Sequence, residues 1–352
     1  MRKRVIIISI AMGVVISVMV ALFIILRQMG LVGRPTAETP MHRIRGPSRA
    51  CRTCHRAIYA EWASSRHARA WLNPLFKEMS GDYTKTECLS CHAPDRLIMT
   101  GFGNPPALRE KYFAEGVNCI ACHEVELNVM RGPYEMESQL GHANEQDESY
   151  RNSTSICASC HGVRMVQGHN KVTEFGNSSF AGQDYTCGNC HMPLSERPLS
   201  ISTGGIIRLS GDHRALGGRD IDLLKRAAEI TAVVEDGRLE VTVKSIRVGH
   251  FLPGGVETIP DISLRSVLVD TQVRNEDGTV SLHEQEVLTK PIGAQAEERL
   301  RSNETRTYSY DLELKRGEVF VLLLYKLYPD TTDEEAVVMA ETRVSFEEGG
   351  ER

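Results

Sequence analysis

The sequence predicts an α + β multidomain protein, in which an N-terminal transmembrane helix precedes a mostly helical and irregular domain and a C-terminal antiparallel β-sandwich. Three observations predict this order: an uncharged apolar run near the N-terminus, five Cys-x-x-Cys pairs in the middle, and alternating apolar residues near the C-terminus. The predicted boundaries are 1–26 for a cytoplasmic n-region and the helix, 27–48 for a tether, 49–227 for the cysteine-rich domain and 228–348 for the β-sandwich.

Residues 5–26 are apolar and carry no charge. As a helix they span about 33 Å, which matches the hydrocarbon core of a bilayer. Basic residues at positions 2–4 precede the run, so the positive-inside rule keeps the N-terminus in the cytoplasm and exports the rest. The sequence therefore predicts a single-pass signal-anchor in the cell membrane, with both later domains on the periplasmic, extracytoplasmic side. A cleaved signal peptide is the alternative, but its small-x-small cleavage site is missing after Leu26.

The tether, residues 27–48, is rich in Pro, Gly and charge and shows no hydrophobic periodicity. Beyond it, apolar spacing predicts one clear helix from about Arg56 to Trp71. The intervals between the cysteine pairs hold too few apolar residues for an ordinary core of this length. We therefore expect bound cofactors to fill part of the interior.

The C-terminal part shows a period of two, which is typical of half-buried strands. Leu239, Val241 and Val243 alternate with polar residues, and runs at 262–275, 317–328 and 335–346 are rich in Val, Leu and Tyr, with a turn signal at 276–278. About seven short strands without intervening helices favour a β-sandwich. A passive cap or a docking platform is the simplest role for it.

The charge balance limits the classes of partner. The chain has 41 basic and 46 acidic residues and a formal net charge of -5. This balance predicts no nucleic-acid binding, which usually needs a basic stripe. A mildly acidic surface suits docking to a basic redox partner protein.

All ten cysteines belong to Cys-x-x-Cys pairs, and His follows each pair directly. This five-residue pattern is the attachment signature of c-type haem. The two thiols add to the vinyl groups of one haem, and the adjacent His becomes the proximal iron ligand. The sequence therefore predicts five c-type haems. The attachment residues are Cys51, Cys54 and His55 (motif 1); Cys88, Cys91 and His92 (motif 2); Cys119, Cys122 and His123 (motif 3); Cys157, Cys160 and His161 (motif 4); and Cys187, Cys190 and His191 (motif 5).

Two other chemistries use paired cysteines. Two Cys-x-x-Cys units can form a zinc ribbon, and one exported unit can be a redox disulfide. Neither requires a His directly after the second Cys, and an odd number of units fits pairwise zinc sites badly. The haem interpretation is therefore preferred.

Each haem iron can take a second, distal ligand, and seven histidines lie outside the motifs. His42 in the tether and His283 after a predicted turn are expected to be solvated. The candidate distal ligands are His67, His142, His169, His213 and His250. A methionine, Met99, Met130, Met165 or Met192, could replace one of them and raise the potential of that haem.

Several strings resemble a known superfamily. They are C-R-T-C-H followed by W-x-x-S-x-H-A, then G-V-N-C-I-A-C-H, C-G-N-C-H-M-P, D-H-x-x-x-G-G and G-H-F-L-P-G-G. They are similar to strings of the multihaem cytochromes c that include hydroxylamine oxidoreductase and its tetrahaem electron acceptor. The resemblance implies that His67 ligates the iron of His123, and that His142 ligates the iron of His55.

The sequence departs from the catalytic members of that group. It has no Cys-x-x-Cys-Lys motif, which nitrite reductases of this type carry, and fewer motifs than the eight-haem oxidoreductases. Quinol-oxidising relatives place the first haem close to the anchor, whereas residues 27–50 separate them here. Direct quinol oxidation is therefore disfavoured.

Five distal candidates for five irons allow every haem iron to be ligated by two histidines. The interpretation therefore favours a non-catalytic electron carrier, with no catalytic residue assigned, between a membrane or periplasmic donor and an external redox partner. One alternative is an oxidoreductase that acts on a small nitrogen or sulfur compound at one open-coordinate haem. Another is a haem-bearing subunit of a larger redox complex or filament.

Overall fold

The computed structural model describes residues 47–127, 129–135, 141–162, 171–201, 206–254, 265–289 and 298–347. The predicted anchor at 5–26 lies outside these residues. Among the residues described, no helix is long and apolar enough to cross a bilayer. The described segments belong to one compact unit, Gly46–Arg352.

The cysteine-rich part contains short helices joined by turns. They are α1 (Pro47–Arg52), α2 (Arg56–Ser64), α3 (Pro74–Met79), α4 (Thr86–His92), α5 (Cys119–His123), α6 (Thr154–His161), α7 (Lys171–Gly176), α8 (Cys187–His191) and α9 (Ile221–Lys225). Short 3₁₀ helices cover Leu97–Met99, Phe113–Glu115, Glu148–Tyr150 and Ala181–Gln183. Polar side chains begin several of these helices: the Asn118 carboxamide, for example, accepts a hydrogen bond of 3.0 Å from the Ala121 backbone N–H.

The helix predicted from Arg56 to Trp71 ends at Ser64. Ser65 has an extended backbone, and its hydroxyl accepts a hydrogen bond from the Ala68 backbone N–H at 3.1 Å. Such local side-chain hydrogen bonds compete with the helix and favour a turn. The prediction was wrong here because the apolar periodicity continues through residues that form this turn.

Two small sheets lie between the helices. Strands β1 (Glu124–Glu126), β2 (Val129–Gly132) and β3 (Ala143–Gln146) form one, with β1 and β2 antiparallel and β2 and β3 parallel. Strands β4 (Leu194–Pro198) and β5 (Ile207–Gly211) form an antiparallel hairpin. These elements contribute few large buried apolar side chains.

The C-terminal part is antiparallel, as predicted. One sheet has the order β10-β7-β6 and the other β12-β11-β8-β9. The strands are β6 (Ala228–Glu235), β7 (Arg238–Ser245), β8 (Ser266–Arg274), β9 (Val280–Thr289), β10 (Thr305–Asp311), β11 (Arg316–Lys326) and β12 (Val337–Glu347). The turn predicted at 276–278 joins β8 to β9, with Gly278 at a φ of +84°.

The main hydrophobic core lies between these two sheets. Leu239, Val241 and Val243 of β7 are fully buried and alternate with exposed residues, as predicted. They share one apolar cluster with residues such as Val269 and Val321 of the other sheet. All residues of this cluster fall within 224–339, so the cysteine-rich part is not built around it.

Candidate haem-binding sites

A continuous cavity of about 1980 Å³ runs through the cysteine-rich part. All ten cysteines and the histidines that complete the five motifs line it. A site for one small molecule usually measures roughly 300–1,000 Å³. The cavity is therefore large enough for several cofactors. Cofactors bound there would take the place of the buried apolar side chains that this part of the chain lacks.

Each motif lies on a single helical turn or directly after one. Motifs 3 and 5 form the whole of α5 and α8, and motifs 2 and 4 end α4 and α6. Residues three apart are neighbours on a helix surface, so the two thiols of one motif point to the same side. The following His then faces the same space in the cavity.

Four candidate distal histidines lie opposite motif histidines. The ring centroids are 6.1 Å apart for His55 and His142, 6.3 Å for His67 and His161, 6.2 Å for His123 and His213, and 6.1 Å for His191 and His250. All eight rings line the cavity.

These distances fit an iron between two imidazoles. Metal–nitrogen bonds to His measure about 2 Å, and each nitrogen lies about 1.1 Å from its ring centre, so two axial rings stand about 6 Å apart. Two directly stacked rings would be much closer, as Phe76 and His92 are, at 3.5 Å. The four pairs therefore leave between their rings the space of one metal ion.

The pairing differs in part from the one that the resemblance implies. His142 does face His55. His67, however, faces His161 of motif 4 and not His123 of motif 3, whose ring lies opposite His213. His67 lies in the turn that follows Ser64, and His161 is the last residue of α6.

The remaining candidates fall in other places. His169 and Met165 belong to residues 163–170 and His42 to residues 1–46, so all three lie outside the described residues. Met130 and Met192 line the cavity, whereas Met99 is exposed elsewhere. His283 lies in the β-sandwich, where its Nε2 is 2.6 Å from Asp270 Oδ1.

Backbone carbonyls hold the imidazoles in a ligating form. In most of them Nδ1 donates to a carbonyl, which leaves the Nε2 lone pair free for a metal. The Nδ1···O distances for the motif residues are 2.7 Å for His55 to Leu199, 2.9 Å for His92 to Ala70, 2.7 Å for His123 to Arg131 and 2.5 Å for His191 to Leu216. Among the distal candidates they are 3.1 Å for His142 to Ala143, 2.8 Å for His213 to Gly211 and 2.9 Å for His250 to Phe251.

Burial keeps several of these rings neutral. Desolvation lowers the pKa of His67 and His123 below the usual histidine value. It also lowers the pKa of His213 to about 4 and that of His250 to about 3. A neutral imidazole is the form that binds iron, so the burial prepares these residues for ligation.

A glycine positions His67. Gly116 has a φ of +56°, and a Cβ built on it would lie 2.3 Å from the His67 carbonyl oxygen. The same carbonyl accepts a hydrogen bond of 2.9 Å from the Val117 backbone N–H. The Trp62 indole N–H donates to the Val117 carbonyl at 2.8 Å. Sequence analysis missed this support, although Gly116 belongs to the G-V-N-C string that precedes motif 3.

Two acidic residues join separate parts of the site. Glu115 is almost fully buried and accepts hydrogen bonds from the Ser48 hydroxyl at 2.9 Å and the Asn118 carboxamide at 2.8 Å. It therefore connects the helix before motif 1 to motif 3. Glu61 of α2 pairs with Arg197 on β4 and accepts a hydrogen bond of 3.0 Å from the His213 backbone N–H.

Thiols of different motifs also contact one another. Cys119 lowers the pKa of the Cys51 thiol, Cys160 lowers that of Cys91 and Cys157 lowers that of Cys187, so the two thiols of each pair lie close together. Motif 1 thus borders motif 3, and motif 4 borders motifs 2 and 5. The charged form of Cys122 raises the pKa of the Cys157 thiol, which shows that motif 3 lies close to motif 4. The attachment points therefore form one continuous series through the cavity.

The cavity wall offers positive charge for the carboxylates of a porphyrin. Arg66, Arg69 and Arg219 line it, and no described carboxylate forms an ion pair with any of the three. The Arg69 Nε–H is buried without a hydrogen-bond acceptor in the described part of the chain. Burial and the neighbouring Arg219 lower the pKa of Arg66. A buried donor of this kind needs an acceptor, and a haem propionate fits.

A structural zinc site would need about four clustered ligands. Within the described ranges, no group of three or more His, Cys, Asp or Glu side chains could hold a metal ion. A haem iron needs only two protein ligands, because the porphyrin supplies four nitrogens. The paired rings therefore fit haem better than the zinc alternative.

Residues 50–124, which contain motifs 1 to 3, match the family model described as cytochrome c554 and c-prime. This match supports a multihaem c-type cytochrome. No curated protein matches the sequence.

One solved structure covers nearly the whole chain. It is a penta-haem cytochrome c552 from Thermochromatium tepidum, with 19% sequence identity and a TM-score of 0.61 over 88% of this chain and 100% of that one. The two proteins share a fold. A superoxide reductase from Nanoarchaeum equitans overlaps 35% of this chain and 94% of that one, at 13% identity and a TM-score of 0.20. A putative β-galactosidase from Bacteroides fragilis overlaps 35% and 16%, at 12% identity and a TM-score of 0.19. Overlaps this weak carry no functional argument.

Proposed function

We propose that the chain is a membrane-anchored, pentahaem c-type cytochrome that transfers electrons between a membrane or periplasmic donor and an external redox partner. The observation that carries the proposal is the set of four histidine pairs with ring centres 6.1–6.3 Å apart. Two axial histidines fill both free positions of an iron. Such sites favour electron transfer over substrate binding.

The bound haems would supply reversible one-electron chemistry at their irons. The protein holds the attachment points in a series, through the Cys51–Cys119, Cys91–Cys160 and Cys157–Cys187 contacts. Carbonyl hydrogen bonds fix the orientation of the axial rings, which limits structural change when the charge of a site changes. Ligands that move little when the iron is oxidised or reduced suit an electron carrier.

The β-sandwich contributes directly to the site, so it is more than a passive cap. His250 lies on the segment between β7 and β8, and its ring faces His191 of motif 5. The neighbouring Phe251 N–H donates to Glu174 at 3.1 Å, and the Arg299 guanidinium lies 4.6 Å above the Phe251 ring. This loop therefore contacts the cysteine-rich part through Glu174 and the β-sandwich through Arg299.

Haem content and spin state test the proposal. The purified full chain should contain five haems, measured as the pyridine haemochrome per protein, and its EPR spectrum should show low-spin iron only. A high-spin component that binds nitrite or hydroxylamine would contradict the carrier function and favour the oxidoreductase alternative. Alkaline extraction of membranes tests the anchor: the chain should remain with the lipid fraction, whereas a cleaved signal peptide would release it.

A further inference from the structure

The end of the β4–β5 hairpin exposes three large apolar side chains. Ile201, Ile206 and Ile207 are 59%, 43% and 58% exposed, and none of them lines the haem cavity. Other exposed apolar residues of the hairpin, Leu194 and Leu209, do line the cavity, so bound haem accounts for them. The three isoleucines have no such cofactor to cover them.

Ile201 lies beside motif 1. The Ile201 backbone N–H donates to the Cys54 carbonyl at 3.0 Å, and the Leu199 carbonyl accepts from His55 Nδ1 at 2.7 Å. The hairpin is thus hydrogen-bonded to the first haem-attachment motif. Whatever covers the isoleucines also comes close to that motif.

Exposed arginines lie close in sequence to motif 1 and to the end of the hairpin. Arg49 and Arg52 lie on α1, Arg56 begins α2, and Arg208 follows Ile207 on β5. All four are exposed, and no carboxylate in the described segments forms an ion pair with them. Unpaired cations beside apolar side chains are typical of proteins that lie on anionic lipid, where apolar groups enter the interface and cations meet headgroups.

The chain outside the described part favours the same occupant. Pro47 follows residues 27–46, which connect it to the apolar run at 5–26. Twenty residues reach at most about 70 Å when extended, and much less as a coil, so the tether allows direct contact with the bilayer. The tether itself carries four arginines, Arg27, Arg34, Arg43 and Arg45, and one acidic residue, Glu38. The approach to the membrane therefore has a net positive charge.

We propose that Ile201, Ile206 and Ile207, together with Arg49, Arg52 and Arg56, form a docking surface for an anionic lipid bilayer. Docking places motif 1 next to the membrane, which makes it the point where a membrane-bound donor protein delivers electrons. This extends the proposed function and rests on it for electron transfer and for the anchor that keeps the surface near lipid.

Hydrogen exchange on the full, haem-loaded chain tests the docking surface. The chain is reconstituted in nanodiscs of phosphatidylcholine alone or mixed with phosphatidylglycerol, and peptides covering 47–56 and 198–208 are followed by mass spectrometry. We expect protection of both peptides in the anionic discs, reduced at high salt because mobile ions screen the arginines. The proposal would be overturned if both peptides exchanged as fast in the two kinds of disc as in detergent. It would also be overturned if the peptides were protected equally in both kinds of disc, because the proposed surface requires anionic lipid.

Two variants with matched controls separate the apolar and charged contributions. Substituting Arg49, Arg52 and Arg56 by Gln should weaken docking about a hundredfold, since each cation contributes about fivefold near an anionic surface. Substituting the three isoleucines by Ser should also abolish protection. The controls change residues of similar exposure on the β-sandwich: Val233, Val280 and Val287 to Ser, and Arg238 and Lys315 to Gln.

The two proposals can fail separately. Loss of the docking surface leaves the low-spin spectrum and the haem content unchanged, whereas failure of the carrier function shows in those spectra whatever the lipid. Control variants that lose protection as strongly as the docking variants would contradict a specific surface.

Discussion

The imidazole of His250, on a loop of the β-sandwich, lies parallel within 10° to the imidazole of His191 in motif 5, with their centres 6.1 Å apart. One ring belongs to the cysteine-rich part and the other to the sheet domain. A haem iron bound between the two rings would therefore join the two parts of the chain.

Substituting His250 by Ala should convert one haem of the full chain from low-spin to high-spin, because its iron loses an axial ligand. EPR and the charge-transfer bands of the visible spectrum measure this change. His283→Ala is the control, since His283 hydrogen bonds to Asp270 away from the cavity. An unchanged spectrum in the His250 variant would remove this residue from the ligands.

Gly116→Ala should destabilise the protein and perturb the haem at motif 4. Its Cβ would collide with the His67 carbonyl, on top of the strain of a positive φ. Gly103→Ala is a matched control, because Gly103 has a φ of +88° and nothing within 4 Å of its Cβ position. We expect a loss of about 1 kcal/mol for the control, from backbone strain alone, and at least about 2 kcal/mol more for Gly116→Ala. Denaturant unfolding followed by the Soret band measures both, and equal losses would contradict the role assigned to Gly116.

Substituting Arg66 and Arg69 by Gln should lower the midpoint potential of at least one haem by tens of millivolts. Nearby cations stabilise the reduced iron, which carries one positive charge less than the oxidised iron, and roughly 1–2 kcal/mol is expected for a charge about 10 Å away at an effective dielectric constant of about 20. Spectroelectrochemical titration resolves such a shift. Arg343→Gln on β12 serves as the control and should leave all potentials in place. A rise in potential, or no shift, would argue against propionate binding by these arginines.

Stability should fall as the pH drops below about 6.5, the usual pKa of an unfolded histidine. The folded chain keeps His213 and His250 neutral, with pKa values of about 4 and 3, so between these values and about 6.5 the unfolded state binds more protons. At pH 5 the loss is about 2 kcal/mol for each residue. Iron ligation also requires the neutral form of these histidines, so it adds to the loss of stability at low pH. Denaturant unfolding at pH 7 and pH 5 measures the effect.

The His250→Ala variant supplies the internal control for that pH dependence. Without His250, the difference in unfolding free energy between pH 7 and pH 5 should shrink by about 2 kcal/mol. A variant with the full pH dependence would show that other groups cause it.

Much of the fold followed from local sequence. The five motifs are contiguous, so the candidate attachment residues can be identified from the sequence alone, and Leu239, Val241 and Val243 showed the strand period. The helix at Arg56 was predicted correctly at its beginning and wrongly at its end. Its apolar spacing continued beyond Ser64, where the Ser65 hydroxyl stabilises a turn instead.

The distal side of the site was harder to predict. His67 and His161 are far apart in sequence, and their meeting depends on how the turn after Ser64 packs against Gly116. No local pattern encodes such a contact, so the implied pairing with His123 was wrong. The roles of Glu61 and Arg69 were missed for the same reason, because a single charged residue in a sequence gives no sign of burial.

With haem bound, the four histidine pairs would also constrain how the chain unfolds. Each pair closes a long loop of the chain, and the loops overlap: the one from His55 to His142 overlaps that from His67 to His161, both overlap that from His123 to His213, and this one overlaps the last, from His191 to His250. Closing long loops lowers the entropy of the unfolded chain. Because the loops overlap, complete unfolding of the haem-loaded chain between motif 1 and the β-sandwich loop would break all four pairs of iron–histidine bonds. We therefore expect the loaded protein to unfold as a single cooperative unit.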